Sequence, residues 1–161
     1  PYPVVRVMPN TPVAIEQGVS AIIGNSFSSL SQVNWTEKLF NNLGKTVILE
    51  KESQIDAVTA ISGSGPAYIF NFAETFIEIG KELGLSEQIS KKIVLQTIVG
   101  AGLLANNSDK SPSKLRENVT SPNGTTQAAL NILMDEKNGW HGIIKNAVFA
   151  AHKRSKILAK N

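Results

Sequence analysis

The sequence predicts a short α/β segment followed by a longer all-helical one, with the change at Glu52. Three observations predict it. Residues 1–51 alternate β-branched runs with a helically spaced apolar stripe. Beyond Glu52 the apolar residues recur at helical spacing, and the breaks between those runs carry helix-starting and helix-stopping residues.

The first strand is Val4–Met8, closed by Pro9, which cannot extend a ladder. A chain that opens directly in a strand is expected to have had something upstream. Gly18 to Gly24 forms a second, glycine-flanked strand. Trp35, Leu39, Phe40 and Leu43 place a helix over Asn34–Leu43 capped by Gly44, and Thr46–Leu49 is the third strand. Helices are then predicted over 53–61, 66–83, 87–106, 112–119, 126–136 and 140–160. Gly84 ends one of them, Ser86 caps the next, Pro112 follows the cap Ser111, and Asn138-Gly139 makes a turn.

The segment Ile89–Leu104 is apolar around most of its circumference, whereas a helix exposed along one side shows only a stripe. It must be covered on several sides. The helical part is too small to surround it, so dimerisation through this region is expected, with a buried helix in a monomer as the alternative. Trp35, Trp140, Phe70, Phe72 and Phe76 read as core or interface.

Composition narrows the chemistry. The 161 residues are 42% hydrophobic and 18% charged, the profile of a globular chain. The net charge of +3 gathers at Lys153, Arg154, Lys156 and Lys160, without the aromatic interleaving of a nucleic-acid surface. Cysteine is absent, so neither a disulfide framework nor a thiolate metal site is available, and the cytoplasm is the default compartment. No apolar run is long enough for a membrane helix. His141 and His152 stand eleven residues apart on one helix without acidic partners at ligand spacing, which favours packing or surface roles over catalysis or metal binding.

Two segments remain as chemical candidates. Thr120 to Leu130 is a turn feeding an amphipathic helix, and a helix N-terminus with Gly124 beside it can take a carboxylate or a phosphate. The alternative is that Thr125 or Thr126 simply caps the helix. Asp56 to Tyr68 joins two helical stretches through Ser62-Gly63-Ser64-Gly65, bringing bare backbone and small hydroxyls to one place; a plain inter-helix turn with Pro66 in the first turn is the alternative. Gly100-Ala101-Gly102 begins a dinucleotide-type pattern but follows no strand, and Tyr68 spoils the pattern begun at Gly63 and Gly65, so no pyrophosphate-binding turn is present.

Three stretches in order, Arg6–Pro12, Asp56–Tyr68 and Arg116–Thr126, resemble the pyrroline-5-carboxylate reductase family over nearly the whole chain. The resemblance implies an α/β remnant of a Rossmann domain over residues 1–51, followed by an all-α helical dimerisation and substrate-binding domain over 52–161. It implies hydride transfer from NADPH or NADH to the C=N bond of 1-pyrroline-5-carboxylate, giving L-proline. The family's Gly-rich turn and the residues that select the cofactor are expected upstream of Pro1. It further implies that Gly124, Thr125 and Thr126 bind the substrate carboxylate, with the Thr126 hydroxyl near the ring nitrogen. Thr59, Gly63 and Ser64 would line the pocket, and Thr59 joins Thr126 as a catalytic candidate. Glu52 is a further candidate for the ring nitrogen, Asn118 for the nicotinamide end of the cofactor, and Asn10, Thr11 and Pro12 for the sheet side of the cofactor pocket. Asn123 stands where relatives often carry glycine, and its tolerance of left-handed dihedrals is expected to preserve the loop. The implied assembly is a homodimer or an oligomer of dimers, without nucleic acid, membrane or metal. An inactive helical dimerisation module and a reductase of another imine are the alternative readings.

Overall fold

The computed structural model describes residues 1–159. They form two compact units, one of Pro1–Tyr68 with the chain from Asn146 onward, the other of Ile69–Lys145.

The first unit is built on a three-stranded sheet of β1 (Val5–Pro9), β2 (Gly18–Gly24) and β3 (Gly44–Ile48), in the order β1-β2-β3. β2 is antiparallel to β1, with Ile22 opposite Val7, and parallel to β3, with Ser20 opposite Thr46. The connections account for both directions. A tight 3-10 turn at Thr11–Ile15 returns the chain beside β1, whereas α1 (Leu30–Phe40) provides the crossover a parallel neighbour requires. Ser20, Ala21, Ile22 and Ile23 are all buried, which explains why β2 reads as a continuous run instead of alternating. Val33 and Thr36 of α1 and Ile55 and Ala60 further on are buried in the same unit.

α1 starts four residues before the predicted Asn34. Ser29 and Gln32 form a reciprocal capping box, the Ser29 N–H donating to Gln32 Oε1 at 2.9 Å and the Gln32 N–H to Ser29 Oγ at 3.3 Å. The predicted last turn tightens into a 3-10 turn over Asn41–Leu43. Gly44 follows with φ 136, and a Cβ there would overlap the Gly18 carbonyl oxygen on β2. Trp35 is 67% exposed, so it is not a core residue.

The helical elements follow the predicted order. α2 (Ile55–Val58) runs into a π turn, Thr59–Gly63, and then come α3 (Gly65–Glu82), α4 (Glu87–Asn106), α5 (Pro112–Asn118), α6 (Thr125–Leu133) and α7 (Trp140–Leu158). Gly84 has φ 92, Ser86 Oγ accepts from the Ile89 N–H, and Ser111 Oγ accepts from the Lys114 N–H with Pro112 first in the helix. α6 ends short of the predicted residue 136. The Asp135 carboxylate instead accepts from the Lys137 and Asn138 N–H groups and turns the chain. The predicted helix end at residue 160 and the Lys160 charge lie outside the described residues.

In the second unit Phe72 stacks on Phe76 with centroids 4.2 Å apart and meets Trp140 edge-on at 5.6 Å. α4 crosses α3 closely, because a Cβ at Gly80 would come within 2.6 Å of Ser90 Oγ. Ser90 is buried at that contact and Val94 is buried as well, yet Ile93, Val99 and Leu104 of the same helix are each more than half exposed.

Candidate functional site

The second unit carries the loop between α5 and α6. Thr120 Oγ1 donates to the Arg116 carbonyl at 2.6 Å, fixing the exit from α5. Asn123 takes φ 58, the left-handed conformation expected of it, and the Gly124 N–H then donates to the Ser121 carbonyl at 3.0 Å. Gly124 is the N-cap of α6, in extended backbone, and no side chain caps the helix. A Cβ at Gly124 would overlap Ser121 Oγ and meet the Ser121 carbonyl oxygen at 3.1 Å, so a larger residue there would have to turn the Ser121 side chain aside.

The cap therefore falls on Gly124, and neither Thr125 nor Thr126 serves as one. The Gly124 carbonyl accepts from the Ala128 N–H, while the N–H groups of Thr125, Thr126 and Gln127 have no acceptor among the described residues. Three aligned donors at the positive end of a helix suit an anion. The Thr126 hydroxyl is half-buried and also lacks a partner among the described residues. Asn118 ends α5 on the other side of the loop, exposed, with an uncommitted side-chain amide among those residues. A cleft of about 500 Å³ lined by Arg116, Thr120, Gln127 and Asn131 adjoins these elements.

The first unit carries the second set. Asp56 to Gly63 is a continuous helical segment, and the break expected over Ser62–Gly65 narrows to Ser64. Its last turn widens so that the Ser64 N–H bonds the Thr59 carbonyl, five residues back, at 2.8 Å. Single π turns of this kind recur at functional sites. Thr59 Oγ1 donates to the Ile55 carbonyl at 2.8 Å and Ser62 Oγ to the Val58 carbonyl at 3.1 Å. The Thr59 hydroxyl proton is thus committed, and its oxygen keeps a lone pair to accept with.

A Cβ at Gly63 would lie 2.8 Å from the Met8 methyl, so β1 packs directly on the π turn. Asn10, Thr11 and Pro12 follow immediately after that strand. Asn10 Oδ1 accepts from the Val19 N–H at 2.9 Å and holds the turn shut, leaving the exposed Thr11 hydroxyl without a partner among the described residues. The Glu52 carboxylate pairs with the Arg6 guanidinium of β1. Thr59, Gly63 and Ser64 thus share one turn with Met8 against it, while Glu52 is engaged by a strand residue. Met8 and Tyr68 lie in two of the stretches that carry the family resemblance, but no role was expected of either; the Tyr68 hydroxyl donates to the Ala60 carbonyl.

Among the described residues no three His, Cys, Asp or Glu side chains cluster as metal ligands. His141 is exposed, and His152 is half-buried beside an apolar cleft with Ala57, Ala60, Ile61, Val148 and Phe149. No helix among these residues is long and apolar enough to cross a membrane.

The pyrroline-5-carboxylate reductase of Pseudomonas aeruginosa is 43% identical over 160 residues, covering 99% of this chain and 58% of that protein. The solved pyrroline-5-carboxylate reductase of Coxiella burnetii superposes with a TM-score of 0.92 at 35% identity, over 97% of this chain and 57% of that one. The pyrroline carboxylate reductase of Plasmodium falciparum, solved with NADP bound, gives a TM-score of 0.86 at 37% identity, over 96% of this chain and 61% of that one. The chain thus spans somewhat over half the length of the relatives it matches. The family model described as pyrroline-5-carboxylate reductase dimerisation matches residues 52–158, well over half of the sequence, and the chain belongs to that family.

Proposed function

We propose that this chain is part of a pyrroline-5-carboxylate reductase, which reduces the C=N bond of 1-pyrroline-5-carboxylate to give L-proline. The observation that carries this is the α6 N-terminus: uncapped donors at Thr125 and Thr126 behind the close-packed Gly124, in a chain alike along nearly its whole length to reductases of that name. The boundary at Glu52 divides a sheet segment, residues 1–51, the end of the Rossmann domain, from a helical domain, 52–161. The end of β3 at Ile48 and the family match from residue 52 support that division.

The roles follow from which groups are free. Thr125 and Thr126 N–H groups receive the substrate carboxylate, a charge-assisted bond of about twice the strength of a neutral one. The Thr126 hydroxyl is free to donate to, or accept from, the ring nitrogen. Thr59, its proton committed to Ile55, is an acceptor, which suits a protonated imine N–H. Such an imine is already electrophilic, so no strong general acid is required. Gly63 and Ser64 give the wall bare backbone. Glu52, paired with Arg6 through Oε1, keeps Oε2 as an acceptor for the ring nitrogen.

The donor set fits a nicotinamide cofactor in one respect: the Asn118 amide and the Thr11 hydroxyl are free and exposed, the chemistry a carboxamide requires. Asn10 and Pro12 shape the turn that presents Thr11. NADPH or NADH, when bound, supplies the hydride.

The exposed apolar residues of α4 support a homodimer, and assembly of dimers into a larger oligomer is compatible with it. The absence of cysteine accords with a cytoplasmic enzyme. NAD(P)H oxidation with 1-pyrroline-5-carboxylate, measured on the full gene product, tests the reading. Turnover that yields proline supports it, and oxidation of no cofactor in its presence refutes it in favour of a dimerisation module.

A further inference from the structure

α2 and the π turn together form a short helical segment, and short helices owe their stability to what they pack against. Most side-chain bonds within it are local. Thr59 binds Ile55, Ser62 binds Val58, and Tyr68 binds Ala60, so they shape the turn without determining where it sits. One bond comes from far along the chain: Ser155 Oγ of α7 donates to Asp56 Oδ1 at 2.6 Å, across 99 positions, in a part-buried setting. Asp56 has no salt-bridge partner among the described residues, so this hydroxyl is the side-chain donor its carboxylate relies on. Alongside it, Val148, Phe149 and His152 of α7 line the same apolar cleft as Ala57, Ala60 and Ile61. Apolar contacts of that kind let helices slide, whereas a single directed bond to a charge fixes register.

Asp56 and Thr59 lie three residues apart on one helical segment, so whatever holds Asp56 holds the Thr59 hydroxyl about one turn away. We infer that Ser155 is a positioning residue for the substrate wall, acting through Asp56 to hold Thr59 and Gly63 in place. The inference rests on the reductase reading above. Misplacing a binding group by about 1 Å can cost about a hundredfold in rate, so loss of one such bond is expected to be visible in steady-state kinetics.

The test compares Ser155→Ala and Ser155→Thr in the full gene product, at a temperature well below unfolding. Alanine removes the donor and threonine keeps it. The expected result is a rise of roughly tenfold in the KM for 1-pyrroline-5-carboxylate in the alanine variant, with the KM for NADPH unchanged and threonine restoring the wild-type value. Unchanged constants, equal rises in both, or an alanine defect that threonine does not reverse would overturn the inference, because a merely structural bond moves the melting temperature without singling out one substrate. An inactive wild-type protein is a separate result, which removes the reductase reading and this inference with it.

Discussion

The Tyr68 hydroxyl donates to the carbonyl oxygen of Ala60 at 3.1 Å, tying the first turn of α3 back to the π turn. Ala60 is buried, so its carbonyl depends on protein donors. Tyr68→Phe removes the donor and keeps the ring. The expected cost is about 1 kcal/mol, the usual net worth of such a bond, read as a lower urea midpoint with an unchanged slope.

Asn123 holds φ 58 ahead of the Gly124 cap. Asn123→Ala is expected to cost about 1 kcal/mol, because a Cβ without a compensating side-chain amide is disfavoured in the left-handed region. Asn123→Gly should remain within about 0.5 kcal/mol of the parent. Chemical denaturation of the three proteins side by side checks the order.

Gly44 combines φ 136 with a Cβ position that collides with backbone atoms of Gly18. Neither problem can be relieved by rotating a side chain. Gly44→Ala is expected to lose about 3 kcal/mol or more by disturbing the parallel pairing of β2 and β3, and calorimetry should show a lower, broader transition.

The Thr126 hydroxyl is proposed to touch substrate. Thr126→Val, close in shape, should lower kcat/KM for 1-pyrroline-5-carboxylate about tenfold, the effect of one lost hydrogen bond of about 1.4 kcal/mol. Thr126→Ser should recover most of it. Steady-state assays of the full gene product decide, and a valine variant with wild-type kinetics removes Thr126 from the mechanism.

Val99, 53% exposed on α4, is expected to be covered in a dimer. Val99→Lys should weaken self-association by roughly a hundredfold, because a lysine buried without a partner must shed its hydration. Sedimentation velocity across a dilution series reads the change directly.

Helix starts at Ser86 and Ser111 and the stop at Gly84 were legible because each signal is local. The start of α1 was not, although Ser29 and Gln32 hold a capping-box pattern and Leu30 and Val33 precede Trp35, because the polar residues Ser31, Gln32 and Asn34 between them weaken the stripe there. The left-handed turn at Asn123 could be read because few residues other than glycine and asparagine adopt that conformation. The π turn could not, since Thr59-Ala60-Ile61-Ser62-Gly63 has the composition of a break and its widening is decided by what packs on it. The partners of Glu52 and Asp56 are distant in sequence, at Arg6 and Ser155, and no periodicity links them.

The two neighbours of β2 approach it in opposite senses, and an order of events during folding is expected from this. β1 and β2 are separated only by Asn10–Gln17, so their antiparallel pairing closes a small loop and can form early. The parallel pairing with β3 must wait until α1 has formed and crossed over. Until then one side of β2, the most buried strand of the sheet, stands open as an apolar edge able to pair with another chain. The Ser29–Gln32 box, which starts α1 at its first residue, therefore also shortens the interval during which that edge is available for aggregation.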